Sequence, residues 1–238
     1  MAEEGNTAQP KPAVFILDLE QPDLFTAIYS DFVDALASEY RIQRARKKGP
    51  AERYLTNTEN RPIAILAVDA GLVERKNASL LQQVRDYVHR GGTVIFMANF
   101  SGFITPPKMN KFWPETWGLD WQFGEYHRTT VHLNHNMPWL STATNSLPQQ
   151  YSQKAVNLAQ VALSDVLYRP SSDSRTQSAV LAESPVNQYQ TPVAFTKIGR
   201  GFVGYIGDMN NETGSQNVVM EMCKLAAYNA STAAPPVE

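Results

Sequence analysis

Residues 80–102, LLQQVRDYVHRGGTVIFMANFSG, decide the fold class of this chain. The first part of the stretch predicts an amphipathic helix, because its apolar residues recur at helical spacing: Leu80, Leu81, Val84, Tyr87 and Val88. Gly91 can supply the left-handed cap that ends such a helix. A short apolar strand at 93–97 follows, and then an abrupt polar turn. Units of this kind are typical of open α/β sheets, in which ligands bind just beyond the carboxyl ends of the strands.

Strands and helices alternate along the rest of the chain as well. Short apolar runs predict buried strands at 14–17, 63–68, 93–97 and 202–206, and weaker patterns predict strands at 41–46, 161–168, 179–181 and 192–198. Such alternation favours a parallel sheet with helices on both faces. Gly199 and Gly201 suit a hairpin turn before the last strand. We therefore predict an α/β three-layer sandwich with a flavodoxin-like, mostly parallel sheet and a C-terminal antiparallel hairpin.

One segment breaks this alternation inside the single domain predicted for residues 13–229. Residues 103–150 are rich in Pro and Asn and contain all four tryptophans of the chain: Trp113, Trp117, Trp121 and Trp139. Long irregular segments are uncommon unless they form a lid or a binding loop. The segment is therefore a lid over the turn at 99–102, an apolar cluster or a subunit interface. The polar ends, residues 1–12 and 230–238, are predicted to be disordered.

Composition limits the classes of function. The chain has 238 residues, a formal net charge of -2 and one cysteine. The charge predicts no nucleic-acid partner, which would need a clustered basic surface. No apolar run approaches the roughly 20 residues of a membrane helix, and the acidic N-terminus lacks the regions of a signal peptide. We expect a cytoplasmic protein without a membrane or nucleic-acid partner, and the sequence leaves a homodimer open.

Polar residues follow the predicted strands at the points where the strands end: Asp18, Asp69, Asn99, Asp208, Asn210 and Glu212. The carboxyl ends of parallel strands lie along one edge of a sheet, so these side chains can converge on a small polar molecule. Each of them, taken alone, is also a common turn former or helix N-cap.

Ser101 keeps a hydrolase hypothesis open. A serine nucleophile needs a base within hydrogen-bond reach, and the candidates are His127, His132 and His135. The agreement with a G-x-S-x-G elbow is poor, because Gly102 follows Ser101 directly. The same histidines indicate a metal site only weakly, because the sequence around them predicts a strand and defines no third ligand. We predict no metal and no cofactor.

Two stretches carry a family resemblance. Residues 87–102, YVHRGGTVIFMANFSG, and the late hairpin at 191–212, TPVAFTKIGRGFVGYIGDMNNE, resemble the class I glutamine amidotransferase-like superfamily in its broad sense, including ThuA-like proteins. The resemblance covers most of residues 13–228. It implies a catalytic Cys in a G-x-C-x-G elbow and a His followed by Glu after the last strand. Here Phe100, or Asn99 after a one-residue shift, stands opposite the nucleophile, and Asp208 stands near the His.

The resemblance therefore implies the fold without the catalytic Cys and His. Glutamine hydrolysis by the family mechanism is not expected. Our first hypothesis is a diverged member that binds a small polar ligand at the strand ends, including Phe100. ThuA-like relatives are associated with sugar utilisation, which makes a sugar-like ligand the expectation. Two alternatives stay open: a serine hydrolase using Ser101, and a protein-interaction subunit using the Trp-rich segment.

Overall fold

The structure is a computed structural model that describes residues 11–57, 61–137 and 146–232. These residues form one nine-stranded sheet. The strands are β1 (Ala13–Leu17), β2 (Arg41–Ala45), β3 (Ala64–Ala67), β4 (Thr93–Phe96), β5 (Gln122–Leu133), β6 (Gln150–Ala159), β7 (Val166–Arg169), β8 (Val193–Ile198) and β9 (Gly201–Ile206). The α-helices are α1 (Pro22–Glu39), α2 (Lys48–Thr56), α3 (Ala78–His89), α4 (Asn99–Phe103), α5 (Pro106–Phe112) and α6 (Thr213–Thr232). No helix in the described ranges is both long and apolar enough to cross a membrane.

The first half of the sheet is parallel, with strand order β2-β1-β3-β4-β9. β1, β3, β4 and β9 are buried along their whole length. Full burial is expected of parallel strands that helices cover on both faces. One face packs against α1 and α6, and the other packs against α3, α4 and α5. This arrangement confirms the predicted α/β sandwich.

The second half of the sheet is antiparallel and larger than one hairpin. It continues from β9 through β8, β7 and β5 to β6. β5 lies inside the segment predicted to be irregular, and it pairs with β6 in a long ladder. The prediction missed this ladder because much of β5 is only partly buried, so its sequence lacks the apolar run that marks the parallel strands.

The edge strand β6 folds back onto the other end of the antiparallel half. The backbone N–H of Val156 donates to the carbonyl of Gly207 at 3.0 Å, and that of Met209 donates to Lys154 at 2.9 Å. The N–H of Leu158 also donates to the carbonyl of Thr191, at 2.7 Å. We call this line of contacts the β6 seam. It closes β9, β8, β7, β5 and β6 partly into a barrel beside the carboxyl end of β9.

Three local predictions need correction. Residues 179–181 form no strand; Val180 and Leu181 are exposed in a loop. The strand expected at 161–168 begins only at Val166, because residues 162–165 form a turn. Helix α6 continues to Thr232, into the tail predicted to be disordered. Residues 1–10 and 233–238 lie outside the described residues.

The Trp-rich segment belongs to the core. It contains α5, a turn of π-helix at Trp113–Trp117 and β5. Trp113, Trp117 and Trp121 are buried, and Trp113 packs against the ring of Phe96. Of the three interpretations, the apolar cluster describes these residues. The indoles of these three residues are not accessible for a contact with another subunit. Trp139 lies outside the described residues.

Candidate functional site

The turn between β4 and α4 has the backbone of a nucleophile elbow. Ala98 adopts φ 55° and ψ -122°, which is the first central position of a type II′ turn. Such a conformation stores strain in a residue other than glycine, and a strained strand-to-helix turn is where α/β hydrolases present their nucleophile. In this turn Ala98 stands at the sharp bend, where such a nucleophile would be placed. The resemblance places Phe100, or Asn99, opposite the nucleophile; both residues lie in α4, just after the bend, because the backbone turns earlier than the sequence indicated.

Replacing Ala98 with glycine tests this strain. We expect the free energy of unfolding to rise by about 1 kcal/mol, because glycine adopts a positive φ without a steric cost. The gain is limited by the greater freedom of glycine in the unfolded chain. Urea denaturation measures the change. Ala64→Gly, a fully buried alanine in β3, is the control and should be destabilised. A loss of equal size in both variants would contradict the strained elbow.

A small cavity lies directly beside Ala98. Tyr29, Asp208 and Ser215 contribute to its wall. The space between the atoms is about 210 Å³, and it is so constricted that it has room for about one water molecule. A sugar-sized ligand does not fit this cavity in the conformation described.

Asp208 stabilises the turn after β9. Its Oδ1 accepts the backbone N–H of Asn210 at 2.8 Å, and its Oδ2 accepts that of Glu212 at 2.7 Å. The carboxyl is buried, and this burial raises its pKa, while the hydrogen bonds oppose the shift. Asp208 therefore follows the last strand as predicted, but both its oxygens are already bound by the neighbouring backbone.

Ser101 has no histidine partner among the described residues. Its hydroxyl donates to the carbonyl of Gly207 at 3.2 Å and lies 3.3 Å from the sulfur of Met209. The side chain is also buried. A serine nucleophile requires a base at its hydroxyl, so this geometry does not assemble the predicted Ser–His pair.

The three candidate histidines lie elsewhere. His127, on β5, has its Nδ1 3.7 Å from Glu125, and burial lowers its pKa. His132 lines a separate polar cavity with Asp173. His135 is exposed in the turn after β5. The structure does not bring them to one point.

The carboxylates of Asp18 and Asp69, which follow β1 and β3, form contacts that stabilise the fold. Asp18 is fully buried and forms an ion pair with Arg44. Burial raises the pKa of Asp18, and the guanidinium opposes the shift. Asp69 accepts the backbone N–H groups of Glu20, Gln21 and Gly71, at 2.7, 3.1 and 2.9 Å. These contacts hold the turns after β1 and β3 together.

The remaining predicted residues have mixed outcomes. Phe100 is fully buried against Phe96 and Trp113, so its ring is not accessible to a ligand in the conformation described. Asn99 is buried, with an amide nitrogen that has no partner in the described part of the chain. Glu212 forms an ion pair with Arg128. Asn210 lines an open cavity beside Arg128 and Lys154.

Two adjoining cavities share Tyr126, and we call them together the Tyr126 groove. The apolar end contains about 840 Å³ and is lined by residues of α4, the start of α5 and β5: Ser101, Gly102, Phe103, Ile104, Thr105, Pro106, Phe123, Tyr126, Val156 and Met209. The polar end contains about 1590 Å³ and is lined mainly by residues of β5, of β6 and of the loop after β7: Tyr126, His127, Arg128, Lys154, Thr176, Gln177, Ser178, Ala179, Leu181, Ala182, Glu183, Ser184 and Asn210. The groove thus starts at α4, the helix that follows the elbow, and crosses the β6 seam.

The groove carries exposed aromatic faces that the sequence reasoning missed. Phe103 is 47% exposed and Tyr126 is 50% exposed. Arg128 and Lys154 supply charged donors at the polar end. The tryptophans are the aromatic residues that stand out in the sequence, whereas the exposed rings of Phe103 and Tyr126 belong to short runs without a motif. An apolar end, a polar end and exposed rings can bind a small molecule of mixed polarity.

The chain is similar to known proteins in structure and not in sequence. No family model matches the sequence, and no curated protein matches it. A ThuA-like protein from Parabacteroides merdae ATCC 43184 superposes with a TM-score of 0.54 at 10% identity, covering 96% of this chain and 93% of that chain. The fold is ThuA-like.

Other solved structures share this ThuA-like fold over most of the chain. A cytoplasmic protein from Salmonella typhimurium LT2 has a TM-score of 0.53 at 11% identity, covering 91% of this chain and 98% of that chain. A β-galactosidase from Halorubrum lacusprofundi has a TM-score of 0.53 at 16% identity, covering 94% of this chain but 31% of that chain. Identities this low establish the fold alone.

Proposed function

We propose that this protein is a diverged, non-hydrolytic member of the amidotransferase-like fold that binds a small polar, sugar-like molecule in the Tyr126 groove. The observation that carries the proposal is this open groove, which begins at Ser101 in α4 and carries exposed rings and polar groups, whereas Ala98 at the elbow lines the separate small cavity. A methyl group cannot attack a carbonyl, so the elbow supplies shape and not a nucleophile.

The absence of hydrolysis is supported by three contacts of the neighbouring residues. The hydroxyl of Ser101 already donates a hydrogen bond to the carbonyl of Gly207. Asp208, near the position expected for the family His, binds two backbone N–H groups. Because both groups already have partners, neither is poised to activate water or to attack a substrate.

The class of ligand is supported by the surface chemistry of the groove. The half-exposed rings of Phe103 and Tyr126 can pack against the apolar face of a sugar ring. Gln177, Asn210 and Lys154 line the polar end and can bond hydroxyl groups. Sites for small molecules commonly combine apolar walls with a few polar groups in this way.

The two alternatives have less support. A serine hydrolase needs a base that Ser101 does not contact, and an interaction surface made by Trp113 and Trp117 needs indoles that are buried. The cytoplasmic location and the homodimer remain predictions.

Replacing Tyr126 with alanine tests the binding site. We expect a panel of mono- and disaccharides to contain a ligand that raises the unfolding temperature, since a ligand at 100 times its Kd stabilises by about 2.7 kcal/mol. Tyr126→Ala should weaken that affinity roughly tenfold, because the stacking face is lost. Thermal denaturation and isothermal titration calorimetry measure both effects.

The control is Tyr189→Ala, which removes a tyrosine that is 89% exposed and outside the groove. Tyr189→Ala should bind the saccharide ligand with the affinity of the wild type. Equal affinities of Tyr126→Ala and the wild type would contradict the proposed site. Ester turnover by the wild type that Ser101→Ala abolishes would instead favour the hydrolase.

A further inference from the structure

Two positive charges face each other at the polar end of the Tyr126 groove. In the antiparallel β5–β6 ladder, Arg128 is directly opposite Lys154. Opposite residues of such a ladder project from the same face, and like charges in these positions repel each other. Both residues line the groove. The fold therefore concentrates positive charge at one end of the proposed binding site.

Only one of these charges has an anionic partner within the described residues. Arg128 forms an ion pair with Glu212 and donates to the hydroxyl of Ser152 at 3.3 Å. Lys154 is half-buried and has no carboxylate partner in those residues; its Nζ lies over the ring of Tyr126, 5.2 Å from the centroid. Glu183 lines the same cavity from an exposed loop and forms no ion pair there.

A purely structural role does not account well for this arrangement. A cation over an exposed ring stabilises a fold by a small amount, and a facing pair of like charges destabilises it by a similar amount. The two effects offset each other, so Lys154 adds little to folding, whereas Arg128 is already stabilised by its ion pair with Glu212. An anion placed between the ammonium and the guanidinium would satisfy both groups at once.

We propose that the ligand of the Tyr126 groove is an acidic sugar-like molecule, whose carboxylate or phosphate binds Lys154 and Arg128. This inference rests on the proposed function, because it names the ligand class for the same groove. The sugar-like body lies along Tyr126 toward the apolar end. Lys154 supplies a mobile point charge, and Arg128 supplies the guanidinium donors that Glu212 and Ser152 leave free.

The test compares acidic and neutral sugars of one size on the full chain. Calorimetry and thermal denaturation are run with glucose, glucuronate, glucose 6-phosphate and inorganic phosphate. We expect at least one acidic sugar to bind ten times more tightly than glucose. Lys154→Gln should remove that difference, and added sodium chloride should weaken acidic binding by screening the charges. Binding of glucuronate alone assigns a carboxylate, and binding of glucose 6-phosphate alone assigns a phosphate.

Two further variants are the controls. Lys197→Gln removes an exposed lysine at the end of β8, outside the groove, and should leave every affinity unchanged. Glu183→Gln removes the negative charge of the groove and should tighten acidic binding; weaker acidic binding would overturn the inference.

The remaining outcomes separate this inference from the proposed function. If glucose and both acidic sugars bind the wild type and Lys154→Gln alike, the ligand charge is irrelevant and only the inference fails. If inorganic phosphate stabilises the wild type and Lys154→Gln equally, anions bind elsewhere, which also overturns it. If no sugar of the panel binds the wild type, the inference and the sugar-like ligand of the proposed function both fail.

Discussion

Trp113→Ala lowers the free energy of unfolding by about 3–5 kcal/mol, the range typical of buried large aromatic residues. Trp113 has no exposed surface. Its ring centroid lies 5.3 Å from that of Phe96, 5.0 Å from that of Trp121 and 5.9 Å from that of Tyr205. The substitution leaves a cavity where the Trp-rich segment meets the sheet, and urea denaturation followed by circular dichroism measures the cost.

Trp113→Phe is the matched control for this prediction. The indole Nε1 of Trp113 has no hydrogen-bond partner in the described residues. Phenylalanine at this position therefore fills less of the buried volume but breaks no hydrogen bond. We expect Trp113→Phe to lower the free energy of unfolding by less than half as much as Trp113→Ala does. A loss below about 1 kcal/mol for Trp113→Ala, typical of less buried positions, would mean that this segment lies outside the core, as a lid would.

Gly207→Ala should disrupt the β6 seam. A Cβ built on Gly207 would lie 2.0 Å from the carbonyl oxygen of Val156. That oxygen belongs to the backbone of β6, so it cannot move aside as the end of a flexible side chain does. We expect a loss of at least about 3 kcal/mol, at the upper end for an overpacked position. Urea denaturation and thermal unfolding measure the loss.

Gly49→Ala is the control for the seam. A Cβ on Gly49, in α2, would lie 3.6 Å from the side chain of Arg53, which is an ordinary contact. Alanine favours a helix by about 1 kcal/mol over glycine, so this variant should be as stable as the wild type or slightly more stable. Wild-type stability of Gly207→Ala would contradict the close approach of β6 and β9.

The parallel half of the fold could be predicted because its signals are local. Residues 80–102 contain a helix, its glycine stop and a buried strand, and the structure has α3 and β4 there. The antiparallel half could not be predicted, because the pairing of β5 with β6 and the β6 seam depend on contacts between residues far apart in the chain. The bond between Val156 and Gly207 is one of them.

The polar residues that follow the strands could be predicted from the sequence, whereas the Tyr126 groove could not. Asp69 and Asp208 do follow strands, but their oxygens bind nearby backbone N–H groups, which is the turn-forming alternative. Ala98 was missed because only the backbone angle identifies the elbow position. Tyr126 and Lys154 were missed because their proximity comes from the register of β5 and β6.

The β6 seam also bears on how copies of this chain meet. A long edge strand with unpaired N–H and C=O groups is a template for pairing with another chain and for aggregation. Several N–H and C=O groups of the ten-residue strand β6 are instead hydrogen-bonded to Thr191 and to residues 207–209. In the described residues the other edge is β2, whose five residues include Arg41 and Arg44. A short, basic edge discourages strand addition, so we expect that self-association by sheet extension is disfavoured.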